Sequence, residues 1–242
     1  MFEHRATRPE RIDIGDYTPA EYDRFLKEIK FINRWLGDRR ALEETLLSEI
    51  EDLHLREFSV LDVAAGSGEL LRTIAAFAGR SERKADLVGL DRNERAVQEI
   101  VDDESGSKLR AVLGDAFRLP FDDGSFDYAI SSLFFHHLTD EQIPQVLNEM
   151  RRVARRGVFV IDLHRHAAAY YLYKVFCFAF RISPLVSQDG ALSVLKGFRP
   201  GELMGFEDKS AARITRVAPF RIVMRCSGVG DLRFDKHLEE SK

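Results

Sequence analysis

An α/β fold built on a doubly wound, mostly parallel sheet is predicted by three features of the sequence. Short apolar runs that end in or enclose a carboxylate recur along the chain: Phe58–Val63 with Asp62, Asp86–Asp91, Leu109–Phe117 with Asp115, and Val158–Leu163 with Asp162. Between them lie stretches whose apolar residues return at helical spacing, the alternation expected of a parallel sheet. The first run also feeds the small-residue turn Ala64-Ala65-Gly66-Ser67-Gly68 just ahead of a helix from Glu69. In an open α/β sheet that turn stands at the carboxyl end of the first strand, where ligands bind.

The elements follow in order. Residues 1–17 are charged, broken by Pro9 and Gly15, and read as an irregular arm. Thr18, Pro19 and Glu21 spell a helix start with a capping box. Tyr22, Phe25, Leu26, Ile29, Ile32 and Leu36 then form one apolar face, closed by Gly37. A second helix runs from Arg39 to Leu53. These two precede the first strand, so residues 1–55 are expected to be an arm and helical cap over the ligand mouth, or simple packing. Residues 56–163 hold the ligand-binding core, with helices from Glu69 to Ala78 and Glu94 to Asp102. Phe126–Ser132 is the fourth strand, and a helix beginning between Thr139 and Pro144 is closed by Gly157 before the fifth strand. Arg151-Arg152 and Arg155-Arg156 read as its solvated face.

Residues 164–206 interrupt the rhythm. His166–Ile182 is apolar, aromatic and helical in pattern, and either packs in the core, meets a partner or membrane, or roofs a pocket as a lid. Ser183–Phe198 reads as a loop with Pro184 and Gly190, and Pro200 opens a short helix. Arg213–Pro219 and Phe220–Cys226 read as two strands, a hairpin on the sheet edge. The segments 207–230 and 231–242 are thus C-terminal strands and a polar tail of one 242-residue domain.

Bulk properties narrow the function. A net charge of -4 gives no general attraction to nucleic acid. Cys177 and Cys226 make neither a disulfide framework nor a metal-ligand spacing, and no metal is expected. No apolar leader or run long enough to span a bilayer is present, and a cytoplasmic setting is the default.

The turn after the first strand suits either a dinucleotide or S-adenosylmethionine; a plain helix-capping turn is the blander alternative. Gly66 and Gly68 permit close backbone approach, and the helix start presents free N–H groups. A dinucleotide fingerprint begun at Gly66 would need a third small residue where Leu71 stands. Asp62 beside a pyrophosphate would be unfavourable, whereas it suits a ligand carrying an ammonium group. Asp91 follows Gly66 by 25 residues, the place of an acid that accepts from ribose hydroxyls.

Taken together, residues 58–163 resemble class I S-adenosylmethionine-dependent methyltransferases of the small-molecule branch. Asp62-Val63-Ala64-Ala65-Gly66-Ser67-Gly68 is similar to the first motif, with Ala64 in place of its first glycine, as in ubiquinone and menaquinone C-methyltransferases. Asp91, followed by Arg92, stands at the ribose-binding acid. Gly114-Asp115-Ala116, followed by Phe117, resembles the motif whose acid meets the adenine amino group. Phe126-Asp127 through Ser132 with His136-His137-Leu138 are similar to the fourth motif, and Arg151–Gly157 to the stretch before strand five. The resemblance implies a Rossmann-like methyltransferase sheet, S-adenosylmethionine as donor and S-adenosylhomocysteine as product. It also implies that Ser131 and Ser132 stand next to the methionine moiety.

Asp62 and the Gly66 and Gly68 backbone are expected to face the ammonium and carboxylate of that moiety, with Arg34 pairing the carboxylate if the cap closes. His136 is the candidate base for a phenol or alcohol acceptor. Asp162, at the end of the adjacent strand, is the group that would orient it. His164 and His166 are further candidates. The expected acceptor is a small aromatic or otherwise apolar molecule methylated on oxygen. C-methylation of a quinone-like ring and a non-catalytic S-adenosylmethionine-binding protein are the alternatives. The acceptor's identity and the oligomeric state are not encoded in any motif.

Overall fold

The computed structural model describes residues 2–35, 38–102, 108–206 and 212–230, without the side chains of Leu26, Lys30, Asn33, Arg34 and Trp35. Seven strands, β1 (Glu57–Val63), β2 (Lys84–Asp91), β3 (Leu109–Leu113), β4 (Phe126–Ser132), β5 (Ala154–Leu163), β6 (Ala212–Val217) and β7 (Arg221–Ser227), form one sheet. Their order is β3-β2-β1-β4-β5-β7-β6, with β7 antiparallel to both neighbours and the other pairs parallel. The hairpin stands at the sheet edge as expected, its second strand pairing with β5 and leaving β6 outermost.

Alternate strand residues fill two layers, as the period of two requires. On one face Leu61, Val88, Ala129, Val158 and Val160 meet α6 (Gln142–Val153) and Leu203 of α9 (Pro200–Met204). On the other, Val60, Leu87, Ile130, Phe159 and Ile161 meet α4 (Glu69–Arg80) and Ile100 of α5 (Glu94–Val101). Residues 38–52 join this second layer as α2 (Asp38–Leu42), a π-helical turn (Glu43–Leu47) and α3 (Ser48–Asp52), with Ala41, Leu42, Leu46 and Ile50 fully buried.

Above the carboxyl ends of the strands sits a third, smaller core. Phe25, Ile29 and Ile32 of α1 (Pro19–Trp35) pack with Tyr173 and Cys177 of α7 (Ala167–Ala179) and Val186 and Ala191 of α8 (Pro184–Lys196). Thr18 and Glu21 build the capping box of α1, the Thr18 N–H donating to Glu21 Oε2 at 2.8 Å. Leu36 and Gly37, read as its end, lie outside the described residues, as does the polar tail.

Two expectations are corrected. Ser183–Phe198 is a helix over Pro184–Lys196 rather than a loop. Ser183 caps it, Pro184 takes its first position, and Leu185, Val186, Leu192 and Leu195 are buried. Gly190 does not break it; a Cβ there would run into the Tyr173 hydroxyl, so the glycine is space for that ring. Second, α6 ends at Val153 and Gly157 lies within β5. Arg155 and Arg156 are therefore strand residues, both paired with Asp127 at 3.1 and 3.2 Å, not a solvated helix face.

Candidate active site

A cavity of about 1130 Å³ lies between the tips of β1, β4 and β5 below and α1, α7 and α8 above. Its floor is Asp62, Ala64–Ser67, Ser132 and Leu133; His136 and His137 form one wall and Arg221 another. The roof contributes Phe25, Ile29, Tyr173, Phe176 and Val186.

The turn after β1 is held in a left-handed conformation at three positions, with φ of 60° at Ala64, 53° at Gly66 and 77° at Gly68. The two glycines serve different ends. A Cβ on Gly66 would meet nothing within 4 Å, so this residue faces open space. One on Gly68 would lie 2.9 Å from Ile100, so that glycine lets α5 close on the sheet. Asp91 braces the turn: its Oδ2 accepts from Gly66 N–H at 2.9 Å and its Oδ1 from Asn93 N–H at 2.9 Å.

Asp62 is buried at the end of β1. Burial first, and then the negative charge of Asp91, push its carboxyl well above the usual carboxylate range. Ser132 Oγ is buried with no hydrogen-bond partner among the described residues, while Ser131 Oγ donates to the Val63 carbonyl at 2.8 Å and ties β4 to β1. Of the two serines, Ser132 lines the cavity. Asp91, Arg92, Asp115, Ala116 and Phe117 stand at the ends of β2 and β3, outside the cavity lining, with Asp115 Oδ1 accepting from Phe117 N–H at 3.0 Å. Arg34 is in the last turn of α1, and its side chain lies outside the described residues.

His136 and Asp162 are brought together. Asp162 Oδ1 lies 2.8 Å from His136 Nδ1, and Oδ2 accepts from the His136 backbone N–H at 3.1 Å. The ring is 3% exposed and the carboxylate 0%. Burial alone would raise the Asp162 carboxyl, but His136 and the His136 and Leu163 backbone N–H groups hold it below its ordinary value. An ionised carboxylate only accepts, so the contact is made by a proton on Nδ1, and in the neutral ring the lone pair then falls on Nε2. His164 also lines the cavity, its basicity lowered by burial and then by His166.

Sequence reasoning missed a second polar group. His137 Nδ1 lies 3.2 Å from Asp13, and the buried pair Lys196–Glu10 stands at 3.2 Å with Asp13 3.5 Å from the same ammonium. Glu10 and one ring nitrogen from each of His136 and His137 fall within 4.8 Å of one another, a metal-like spacing in which Lys196 already supplies the cation. The arm is fastened elsewhere too. Asp189 accepts from the Arg11 and Ile12 N–H groups at 3.0 and 2.9 Å, and Arg5 pairs with Asp140 at 2.6 Å. The fully buried Arg165 donates to the Phe2 and Glu3 carbonyls and to Glu202. No periodicity in residues 1–17 signals this; buried Asp189 and Lys196 on α8 were the available clue once that segment was seen as a helix.

Residues 60–157 match the family described as "Methyltransferase domain". Residues 60–157 of the core thus form a methyltransferase domain. Its cofactor is S-adenosylmethionine. The chain is 33% identical over 113 residues to the 2-phytyl-1,4-naphtoquinone methyltransferase of Synechococcus elongatus, covering 44% of this chain and 46% of that protein. It is 34% identical over 106 residues to the demethylmenaquinone methyltransferase of Bacillus subtilis, 43% of each. The chain thus spans less than half the length of these relatives. A solved structure of magnesium protoporphyrin IX methyltransferase from Synechocystis shares the fold, with a TM-score of 0.58 at 13% identity over 91% of this chain and 100% of that one. The methyltransferase domain's first turn suits the cofactor: open space at Gly66, a buried Asp62 carboxyl without a described cation, and a Ser132 hydroxyl with no partner among the described residues all face or border the cavity.

Proposed function

We propose that this chain transfers the methyl group of S-adenosylmethionine to the oxygen of a small aromatic or apolar acceptor, with His136 as the base and Asp162 orienting it. The observation that carries this reading is the buried His136–Asp162 contact at 2.8 Å on the wall of the cavity. Nε2 takes the proton of an acceptor hydroxyl, and Asp162 stabilises the imidazolium that results. When bound, the cofactor supplies an electrophilic methyl group on a sulfonium. Asp62 would hold its ammonium, Ser132 its methionine portion, Asp91 the ribose hydroxyls and Asp115 the adenine amino group. The helical roof of α1, α7 and α8 encloses the acceptor and excludes water, which strengthens the polar contacts beneath it.

A second reading, C-methylation of a quinone-like ring, is favoured by what the two curated relatives are named for. The same base serves it, because a phenolate shares its charge with the neighbouring ring carbons. The deciding experiment supplies methyl-labelled S-adenosylmethionine and a panel of phenols and hydroquinones, and locates the label by NMR. An aryl methyl ether that disappears in His136→Asn supports the first reading; a ring-carbon methyl moves the assignment to the second. Cofactor binding by calorimetry without product from any acceptor would point to a non-catalytic binding protein.

A further inference from the structure

The outward side of α7 is apolar. Tyr171, Leu172, Val175 and Phe178 fall on one face at helical spacing, and Phe180 follows; all are exposed, Phe178 by 87%. Ala169, Tyr173 and Cys177 on the opposite side seal the roof. A helix apolar on both sides, with one left uncovered, marks an interaction surface.

Two further observations say what covers it. First, the stripe runs into the cavity. Leu172, 57% exposed, and Phe31, 37% exposed, also line it, and Phe31 packs against Phe176 and Phe180 with ring centroids 6.1 and 5.6 Å apart. The mouth therefore opens within the apolar patch. Second, the patch is locally basic on a chain of net charge -4: between Leu163 and Gln188 there is no aspartate or glutamate, while Lys174 and Arg181 stand exposed. Lys174 lies over the Tyr170 ring at 5.6 Å. Apolar side chains flanked by tyrosines and cations suit the headgroup layer of a bilayer. The 13 residues of α7 are too few to cross one. A second copy meeting the same face about a twofold axis would bring these cations together.

We infer that α7 docks the protein on an anionic lipid surface, and that the acceptor is an amphiphile entering the cavity from the lipid. Its hydroxyl-bearing head reaches His136 while its alkyl chain lies along Phe31, Leu172 and Phe176. The acceptor part rests on the methyl-transfer reading; the docking part does not.

The test uses the full chain and a Val175→Glu/Phe178→Glu variant, floated with vesicles of phosphatidylcholine alone or mixed with phosphatidylglycerol. Calorimetry with S-adenosylmethionine runs alongside. The original chain is expected to float with the mixed vesicles, and the variant to do so about tenfold less, with equal cofactor affinity showing that it is folded. A chain that binds cofactor yet stays unfloated with anionic vesicles overturns the inference. So does a dimer on size exclusion that the variant converts to monomer, since a second copy would then cover the face. Loss of cofactor binding by the original chain would sink the proposed reaction while leaving the flotation result to stand by itself.

Discussion

Asp162 holds His136 twice, its two carboxylate oxygens reaching the ring Nδ1 at 2.8 Å and the backbone N–H at 3.1 Å. Such a grip fixes both the position of the residue and the orientation of its ring. Replacing the base, His136→Asn, is expected to lower kcat by about two to four orders of magnitude. Cofactor affinity should change little. Asp162→Asn should lower kcat as well and destabilise the fold by about 1.5–3 kcal/mol, because buried charge-assisted bonds are lost. Steady-state kinetics, calorimetry and urea unfolding check these; unchanged turnover in Asp162→Asn would falsify the orienting role.

Asp62 gives a prediction of opposite sign. A carboxyl whose folded pKa is raised costs stability once pH rises past the value of 3.8 that it takes when unfolded. Asp62→Asn should therefore melt a few degrees higher at neutral pH without ligand. It should also lose about tenfold or more in S-adenosylmethionine affinity, so that the thermal shift produced by the cofactor shrinks. Differential scanning fluorimetry with and without the cofactor reads both effects.

The arm should loosen as the solution turns alkaline. Burial opposes the charge on Asp13, but His137 and Lys196 lower its pKa to about 2. Burial likewise opposes the charge on His137, but Asp13 and Glu10 raise its pKa above the ordinary 6.5. The carboxylate's contribution is present above 3.8 and fades as pH falls toward 2. The imidazolium's is present below 6.5 and fades as pH climbs through the raised folded value. Hydrogen exchange in residues 5–16 should therefore be slowest between these limits, after correction for the intrinsic rate. Asp13→Asn should weaken the alkaline acceleration, leaving the part that Glu10 supplies, and full retention of it there would refute the link.

Two glycines should respond oppositely to alanine. Gly190→Ala drives a methyl toward the buried Tyr173 hydroxyl, which is held by the Val186 carbonyl at 2.9 Å, and should cost about 1–3 kcal/mol. Gly201→Ala, in α9 with nothing within 4 Å, should gain about 0.5 kcal/mol. Chemical denaturation of the two variants separates the packing role from the helix-propensity effect.

What could be seen in the sequence was what has a local pattern. The bounds of β4 and the start of α4 follow from alternation and from the Gly66–Gly68 turn. The His136–Asp162 meeting followed from placing two residues on the exits of adjacent strands. The roof was legible only in part, since α7 announces itself by composition whereas α8 carries a mid-helix glycine that reads as a breaker. Its reason for being glycine is Tyr173, 17 positions away and on another helix. The Glu10–Lys196 and Asp13–His137 pairs join residues 186 and 124 positions apart. Long-range electrostatic partners leave no periodic trace.

Sheet order also sets when the protein becomes competent during synthesis. Strands β1 to β4 and the glycine turn leave the ribosome early, but Asp162 is paired on its far side with Ile222 of β7. A nascent chain can assemble the nucleotide half of the site while the wall behind the base is still unmade. Turnover should emerge only after the C-terminal hairpin has been translated and inserted.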